Sequence, residues 1–343
     1  MLEINQLIIH ELEKEIEQSE ARLFLSEKVL PLDERAAHLV EKLNASFLQK
    51  SDVLQGSLSS PEDALFPGYF HNLVEAGFEE KAFIAFSKDT MNALQLAIQG
   101  IIGAKGGYLV YADYRQSEAR ILGLFLVRDT EGVVFRKKSD ASGFDLDDTT
   151  YLDTDRLAMA CRIHVDQFQN GQSRFIELIK YAKSQKEISE YFTNWIGLEA
   201  PVSSRELTHT FFELTSELPL PVNEENGQLM ESEQFQEKVM NFALSSPERV
   251  IRLEDFNEAF YGEEPTTQRF IDENEIALDA EFRFDPNALK RYFNYRVSTE
   301  GITLSFSKSD LFSGKVSLEE DAIVIRSEAL LKKLRKQLEK EEN

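Results

Sequence analysis

Two apolar-rich stretches, Tyr108 to Asp113 and Ala119 to Val127, are separated only by the short polar turn Tyr114 to Glu118. A connection that short cannot carry a parallel crossover, so as strands the two must run antiparallel. A third stretch, Gly132 to Phe135, follows the turn Arg128 to Glu131 and extends the pattern to an antiparallel meander. The first half of the chain has to build around it.

The flanking segments supply both layers of such a domain. Ile4 to Leu12 is rich in branched apolar residues and reads as a first strand, with Ala21 to Ser26 as its partner. Between Leu32 and Lys50, Ala36, Leu39, Val40, Leu43 and Phe47 recur at helical spacing and share one face. Gly56 to Phe70, with Pro61, Pro67 and Gly68, reads as a loop; Glu80 to Gln99 is helical in period and is closed by Gly100. Asp140 to Asp148 reads as an acidic loop. Tyr151 to Val165 and Arg174 to Ala182 follow as strands joined through the hairpin signal Asn170-Gly171.

After Lys186 the pattern becomes helical, at Glu187 to Ile196 and Ser203 to Glu217, and Pro219, Pro221, Asn226 and Gly227 then mark a linker. Helices are predicted at Ser232 to Leu244, Leu253 to Tyr261 and Thr266 to Ile271, strands at Ile302 to Phe306 and Ala322 to Ile325, and a last helix over Ser327 to Lys340. The predicted fold class is α+β: a mostly antiparallel sheet domain with helices, followed by an acidic helical region and a small C-terminal β/α segment. The corresponding organisation is an α+β domain over 1–186, a helical connection over 187–218, a linker over 219–229 and a helical and β/α domain over 230–343. A chain of 343 residues with 42% apolar side chains suits two such cores.

Several functional classes are disfavoured by composition. A single cysteine, Cys161, rules out an intramolecular disulfide and a Cys-based zinc cluster, and five scattered histidines offer little to a transition metal. The acidic stretch Glu11 to Glu20 has the wrong charge for a signal peptide. Apolar runs such as Ile121 to Val127 fall far short of the roughly 20 residues of a membrane helix. A cytoplasmic protein without a membrane partner is expected. The net charge of −23 repels phosphate, so contact with nucleic acid requires local cationic clusters.

Catalytic motifs are absent from the sequence, and no enzyme is predicted. Gly100, Gly103, Gly106 and Gly107 lie between a helix and a strand, the reverse of the order that points helix N-terminal amides at a phosphate, so they read as a connection. Asp140, Asp145, Asp147, Asp148, Asp153 and Asp155 are the densest acids and could offer oxygen ligands to a divalent cation, but their spacing is not that of an EF-hand. A solvated turn is the preferred reading; no metal or other cofactor is predicted. Cys161 and His164 point to opposite faces of one strand and belong to packing rather than to a nucleophile and its base.

Cations cluster in three places: Arg136, Lys137 and Lys138 after a strand; Arg174 with Lys180, Lys183 and Lys186; and Lys332, Lys333, Arg335 and Lys336 on the last helix. Residues 326–340 hold six bases against two acids, net +4. On that helix Leu330, Leu331, Leu334 and Leu338 form an apolar stripe, so it is expected to pack by one side and present charge on the other. Solvated cations near a helix C-terminus are the bland alternative.

Three islands carry a family resemblance: Ile4-Asn5-Gln6-Leu7-Ile8-Ile9-His10; Thr150-Tyr151-Leu152-Asp153 with Ala160-Cys161-Arg162-Ile163; and Gly301-Ile302-Thr303-Leu304-Ser305-Phe306 with the basic helix. Together they resemble the bacterial nucleoid-associated proteins of the NdpA/YejK type. The resemblance implies a cytoplasmic, nucleoid-located homodimer without enzymatic activity. It further implies DNA binding with little sequence preference and a link to DNA topology through type II topoisomerases. The stretch Glu187 to Glu300 matches least.

Two classes of function follow. One is sequence-indifferent binding of the DNA backbone by the cationic clusters. The other is an acidic protein-interaction module that docks on the basic surface of a DNA-handling enzyme such as a type II topoisomerase. A weaker third reading is a carboxylate-dependent nuclease built on Asp145 to Asp155.

Overall fold

A computed structural model describes residues 2–138, 143–179, 186–223, 227–299, 301–307, 310–311 and 313–341. The chain divides into two compact units between Glu206 and Leu207.

The first unit is organised by an eight-stranded sheet. In chain order its strands are β1 (Glu3–Glu13), β2 (Arg22–Phe24), β3 (Val53–Leu58), β4 (Gly107–Gln116), β5 (Ala119–Val127), β8 (Met159–His164), β9 (Ile176–Ile179) and β10 (Leu198–Ser203). They are arranged β10-β3-β9-β8-β5-β4-β1-β2, and every neighbouring pair is antiparallel. Side chains alternate across a strand, and both faces here are covered. Leu109 and Tyr111 of β4 and Leu122, Leu124 and Leu126 of β5 join helices α2 (Leu65–Glu75), α3 (Glu80–Ile98) and α5 (Lys186–Ile196) in one core. Val110, Ala112 and Tyr114 with Ile121, Phe125 and Val127 join α1 (Glu34–Leu48) in the other. Burial on both faces is why β4 and β5 read as nearly continuous apolar runs.

Helix α1 forms where its period predicts. Asp33 caps it by accepting from the amides of Arg35 and Ala36, and Ala36, Val40, Leu43 and Phe47 are buried. Gly100 ends α3 at φ +83°, a conformation that favours glycine, and its amide donates to the Ser19 carbonyl at 3.2 Å. Gly106 donates to the Lys14 carbonyl at 2.8 Å, and a Cβ there would sit 1.8 Å from the Leu12 carbonyl oxygen. Close backbone approach thus accounts for this glycine.

Four local expectations are corrected. Residues 56–70 are a loop only over 59–64: β3 takes 56–58 and α2 takes 65–70. Pro67 lies in the first turn of α2, where amides have no intrahelical acceptor, so its missing N–H costs little. Gly132 to Phe135 does not extend the meander, because the free edge of β5 is taken by β8. Instead β6 (Asp129–Lys137) pairs only with β7 (Phe144–Leu152) in a separate two-stranded arm, which also places Asp145 to Asp148 on a strand rather than a loop. The β8 to β9 connection holds a short helix, α4 (Val165–Gln169), before Gly171 at φ +67°. Finally, 187–218 is not wholly helical: β10 lies between α5 and α6 (Ser204–Glu217) and adds an edge to the sheet.

The second unit begins within α6. Its helices are α7 (Ser232–Ser245), α8 (Leu253–Tyr261), α9 (Thr266–Glu273) and α10 (Pro286–Phe293), with the hairpin β11 (Val250–Arg252) and β12 (Glu281–Arg283). Aromatic rings form its centre. Phe211 meets Phe256 at 5.2 Å and Phe282 at 5.7 Å, while Phe212 stacks on Tyr292 at 4.7 Å. Asp285 caps α10 by accepting from the Asn287 amide at 2.7 Å, with Pro286 at the first helical position. The stretch read as a linker falls inside this unit and carries an isolated bridge between Val222 and Leu229. Beyond Phe293 come two hairpins, β13 (Asn294–Thr299) with β14 (Ile302–Ser307) and β15 (Val316–Leu318) with β16 (Ile323–Ile325), and then helix α11 (Glu328–Glu341).

Candidate nucleic-acid interface

The three cationic clusters have different surroundings. Arg136 and Lys137 lie near the end of β6, with Lys138 just beyond it, and β7 carries Asp145, Asp147 and Asp148 alongside. Arg136 Nε is 3.0 Å from an Asp147 carboxylate oxygen and Lys138 Nζ is 3.3 Å from one of Asp145. Both are diagonal cross-strand pairs set by the register that puts Arg136 opposite Asp145. Over 129–138 and 144–152 the arm carries five acids and three bases, net −2. A phosphate approaching this arm competes with carboxylates already in place.

One face of the arm is apolar and solvated. Val133, Phe135, Phe144 and Leu146 share it, Phe135 being 74% exposed. This surface was missed by sequence reasoning because an apolar run gives no sign of whether it will find a place in the main sheet.

Arg174 precedes β9 with φ +52°, half-buried, and desolvation holds its guanidinium below the ordinary value. Lys180 and Lys183 lie outside the described residues; Lys186 opens α5, and its side chain lies outside them as well.

Helix α11 is different. Lys332, Lys333, Arg335 and Lys336 are all exposed, and among the described residues none of the four pairs with a carboxylate. At 100° per residue Lys332 and Lys336 lie opposite the leucines, while Lys333 and Arg335 flank them. The expectation that the leucine stripe packs against the protein is not met: Leu330, Leu331, Leu334 and Leu338 are 54, 48, 52 and 53% exposed. The helix is amphipathic with both of its faces in solvent.

The remaining chemistry is structural. Asp153 accepts from the Arg156 amide at 3.2 Å, and among the described residues no three His, Cys, Asp or Glu side chains converge as metal ligands would. Cys161 is buried in the first unit's core, where desolvation pushes its thiol up. His164 Nε2 sits 3.4 Å from Glu177, which also pairs with buried Arg162 at 3.3 Å. No described helix is long and apolar enough to cross a membrane.

Comparison with known proteins finds matches over almost the whole chain. The family described as nucleoid-associated protein YejK matches residues 8–335. A nucleoid-associated protein of Pseudomonas fluorescens (strain Pf0-1) is 27% identical over 331 residues, covering 93% of each chain. Those of Pseudomonas entomophila (strain L48) and Pseudomonas paraeruginosa (strain DSM 24068 / PA7) are 25% identical over 329 residues and 23% identical over 343. The first covers 93% of each chain, the second 98% of this chain and 97% of its own. A match that spans residues 8–335 makes this chain a member of the YejK family of nucleoid-associated proteins.

Proposed function

We propose that the protein binds DNA with little regard to sequence, as a homodimer located at the nucleoid, and that it influences DNA topology without catalysing a reaction. The observation that carries this reading is α11: four exposed cations on one helix, none held by a carboxylate among the described residues, in a chain of net charge −23. Such cations contact phosphate oxygens, fix position on the duplex and read no bases. Arg174, Lys180, Lys183 and Lys186 are a second candidate set. Arg136, Lys137 and Lys138 rank last, since Asp145 and Asp147 already engage two of them.

The test is binding to labelled duplexes of unrelated sequence. Replacing Lys332, Lys333, Arg335 and Lys336 by Ala is expected to weaken binding to all of them alike. Unchanged affinity would remove α11 from the interface.

A second reading has its own support. Residues 207–285 carry 19 acids against 5 bases, net −14, a surface suited to the basic face of a DNA-handling enzyme such as a type II topoisomerase. Capture of such an enzyme after nuclease treatment is the expected result on this reading; loss of every partner along with the DNA would count against it.

A further inference from the structure

The second unit contains a groove of about 540 Å³ alongside α7. Met240, Tyr292 and Phe293 give it an apolar floor, and Glu231, Glu233 and Glu237 are among the residues that line it. All three acids are exposed. Two of them serve the first turn of α7 through its dipole, yet that role requires neither the apolar floor nor the concavity.

The same unit displays the complement. Helix α11 exposes four leucines, of which Leu330, Leu334 and Leu338 recur at i, i+4 and i+8 and Leu331 falls three before Leu334, the kind of stripe by which an amphipathic helix anchors in a groove. Its flanking positions are cationic: at 100° per residue, Lys333 borders the stripe next to Leu330 and Arg335 borders it next to Leu331. Lys332 and Lys336 point away from the stripe. A second α11 laid against the first would bring like charges together, whereas the groove offers opposite charge and apolar area at once.

We propose that this groove is the seat for helix α11 of a second copy of the chain. Leu330, Leu334 and Leu338 enter the groove, Lys333 and Arg335 face its glutamates, and Lys332 and Lys336 remain outward. Because groove and helix belong to the same unit, a two-fold exchange fills two identical seats and closes the assembly as a dimer. This rests on the homodimer in the proposed function and specifies how it forms. It also assigns the cations of α11 to separate tasks, Lys333 and Arg335 to the partner subunit and Lys332 and Lys336 to phosphate.

Mixing two variants of the full chain that each add one cysteine, Glu237→Cys and Leu334→Cys, tests it. Cys161 is fully buried and its thiol is held neutral, so it does not compete. Oxidation should link the two variants in the mixture and neither variant alone. Glu233→Lys with Glu237→Lys should weaken self-association roughly tenfold, the effect of about 1.4 kcal/mol over two rim pairs, and Lys333→Glu with Arg335→Glu in the partner should restore it. No link in the mixture while light scattering still reports a dimer would overturn the groove and leave the dimer standing. A Glu237 to Leu334 link formed only within one doubly substituted chain would overturn it in favour of closure on the same molecule. A monomer by light scattering would overturn both the seat and the homodimer.

Discussion

The central sheet and the C-terminal helix use apolar residues in opposite ways. In the first unit Leu109, Tyr111, Leu124 and Phe125 have no solvent exposure, and side chains on both faces of β4 and β5 are enclosed by helices. In α11 every leucine of the stripe is about half exposed. The sheet's residues hold the domain together. Those of α11 contribute little to the isolated fold and are available to another surface, which is where a function of surfaces should be found.

The largest expected effect that bears on this contrast is on stability. Phe125→Ala should destabilise the first unit by about 3–5 kcal/mol, whereas Leu334→Ala in dilute protein should shift unfolding by no more than about 0.5 kcal/mol. Denaturant unfolding measures both; comparable losses would mean that the stripe is already packed. Next in size is a buried ion pair. Asp113 has no exposed surface and accepts two hydrogen bonds from Arg120, at 2.9 and 2.7 Å, while the guanidinium lies 4.1 Å from the centre of the Phe78 ring. Arg120→Ala leaves that carboxylate without its main partner and should cost about 3 kcal/mol. A neutral outcome in the same unfolding experiment would show that water enters the site.

A smaller, pH-dependent effect belongs to the first unit. His10 is buried; its Nδ1 accepts from the Ser26 amide at 3.0 Å and its Nε2 lies 2.9 Å from the Ser87 hydroxyl. Burial first, and the positive charge of Lys88 second, push its pKa down to about 4 from 6.5. The unfolded chain therefore binds a proton that the folded one refuses. The His10 contribution is complete above pH 6.5 and is lost as pH falls toward 4. His10→Asn should flatten that part of the stability curve, and an unchanged slope would place its source elsewhere.

Much of the first unit is legible in the sequence because its periods are local. The nearly continuous apolar runs of β4 and β5, the branched apolar residues of β1 and the helical spacing of Ala36, Val40, Leu43 and Phe47 report burial directly. Gly56 and Pro67 mislead because they punctuate a strand and a helix rather than a loop. At Gly56 a Cβ would lie 2.6 Å from the Glu199 carbonyl oxygen, a constraint set by β10, far away in sequence. The fate of β6 is likewise non-local, since its apolar residues resemble those of β5 and only the arrival of β8 excludes it from the sheet. The cationic clusters are visible as composition, but their charge state as surfaces is not. That Asp147 engages Arg136 while Lys332 and Lys336 stay unpaired among the described residues depends on a strand register and on which face of a helix is left open.

On the proposed function, exposed cations of α11 meet DNA phosphates. The most direct measurement is the affinity of the intact protein for a random-sequence duplex from 50 to 200 mM salt. With Lys332 and Lys336 of both subunits engaged, four cations in all, the logarithm of the binding constant should fall against the logarithm of salt with a slope of about −3.6, a loss of about 10²-fold over that range. Binding that is absent at low salt, or that does not respond to salt, would contradict it.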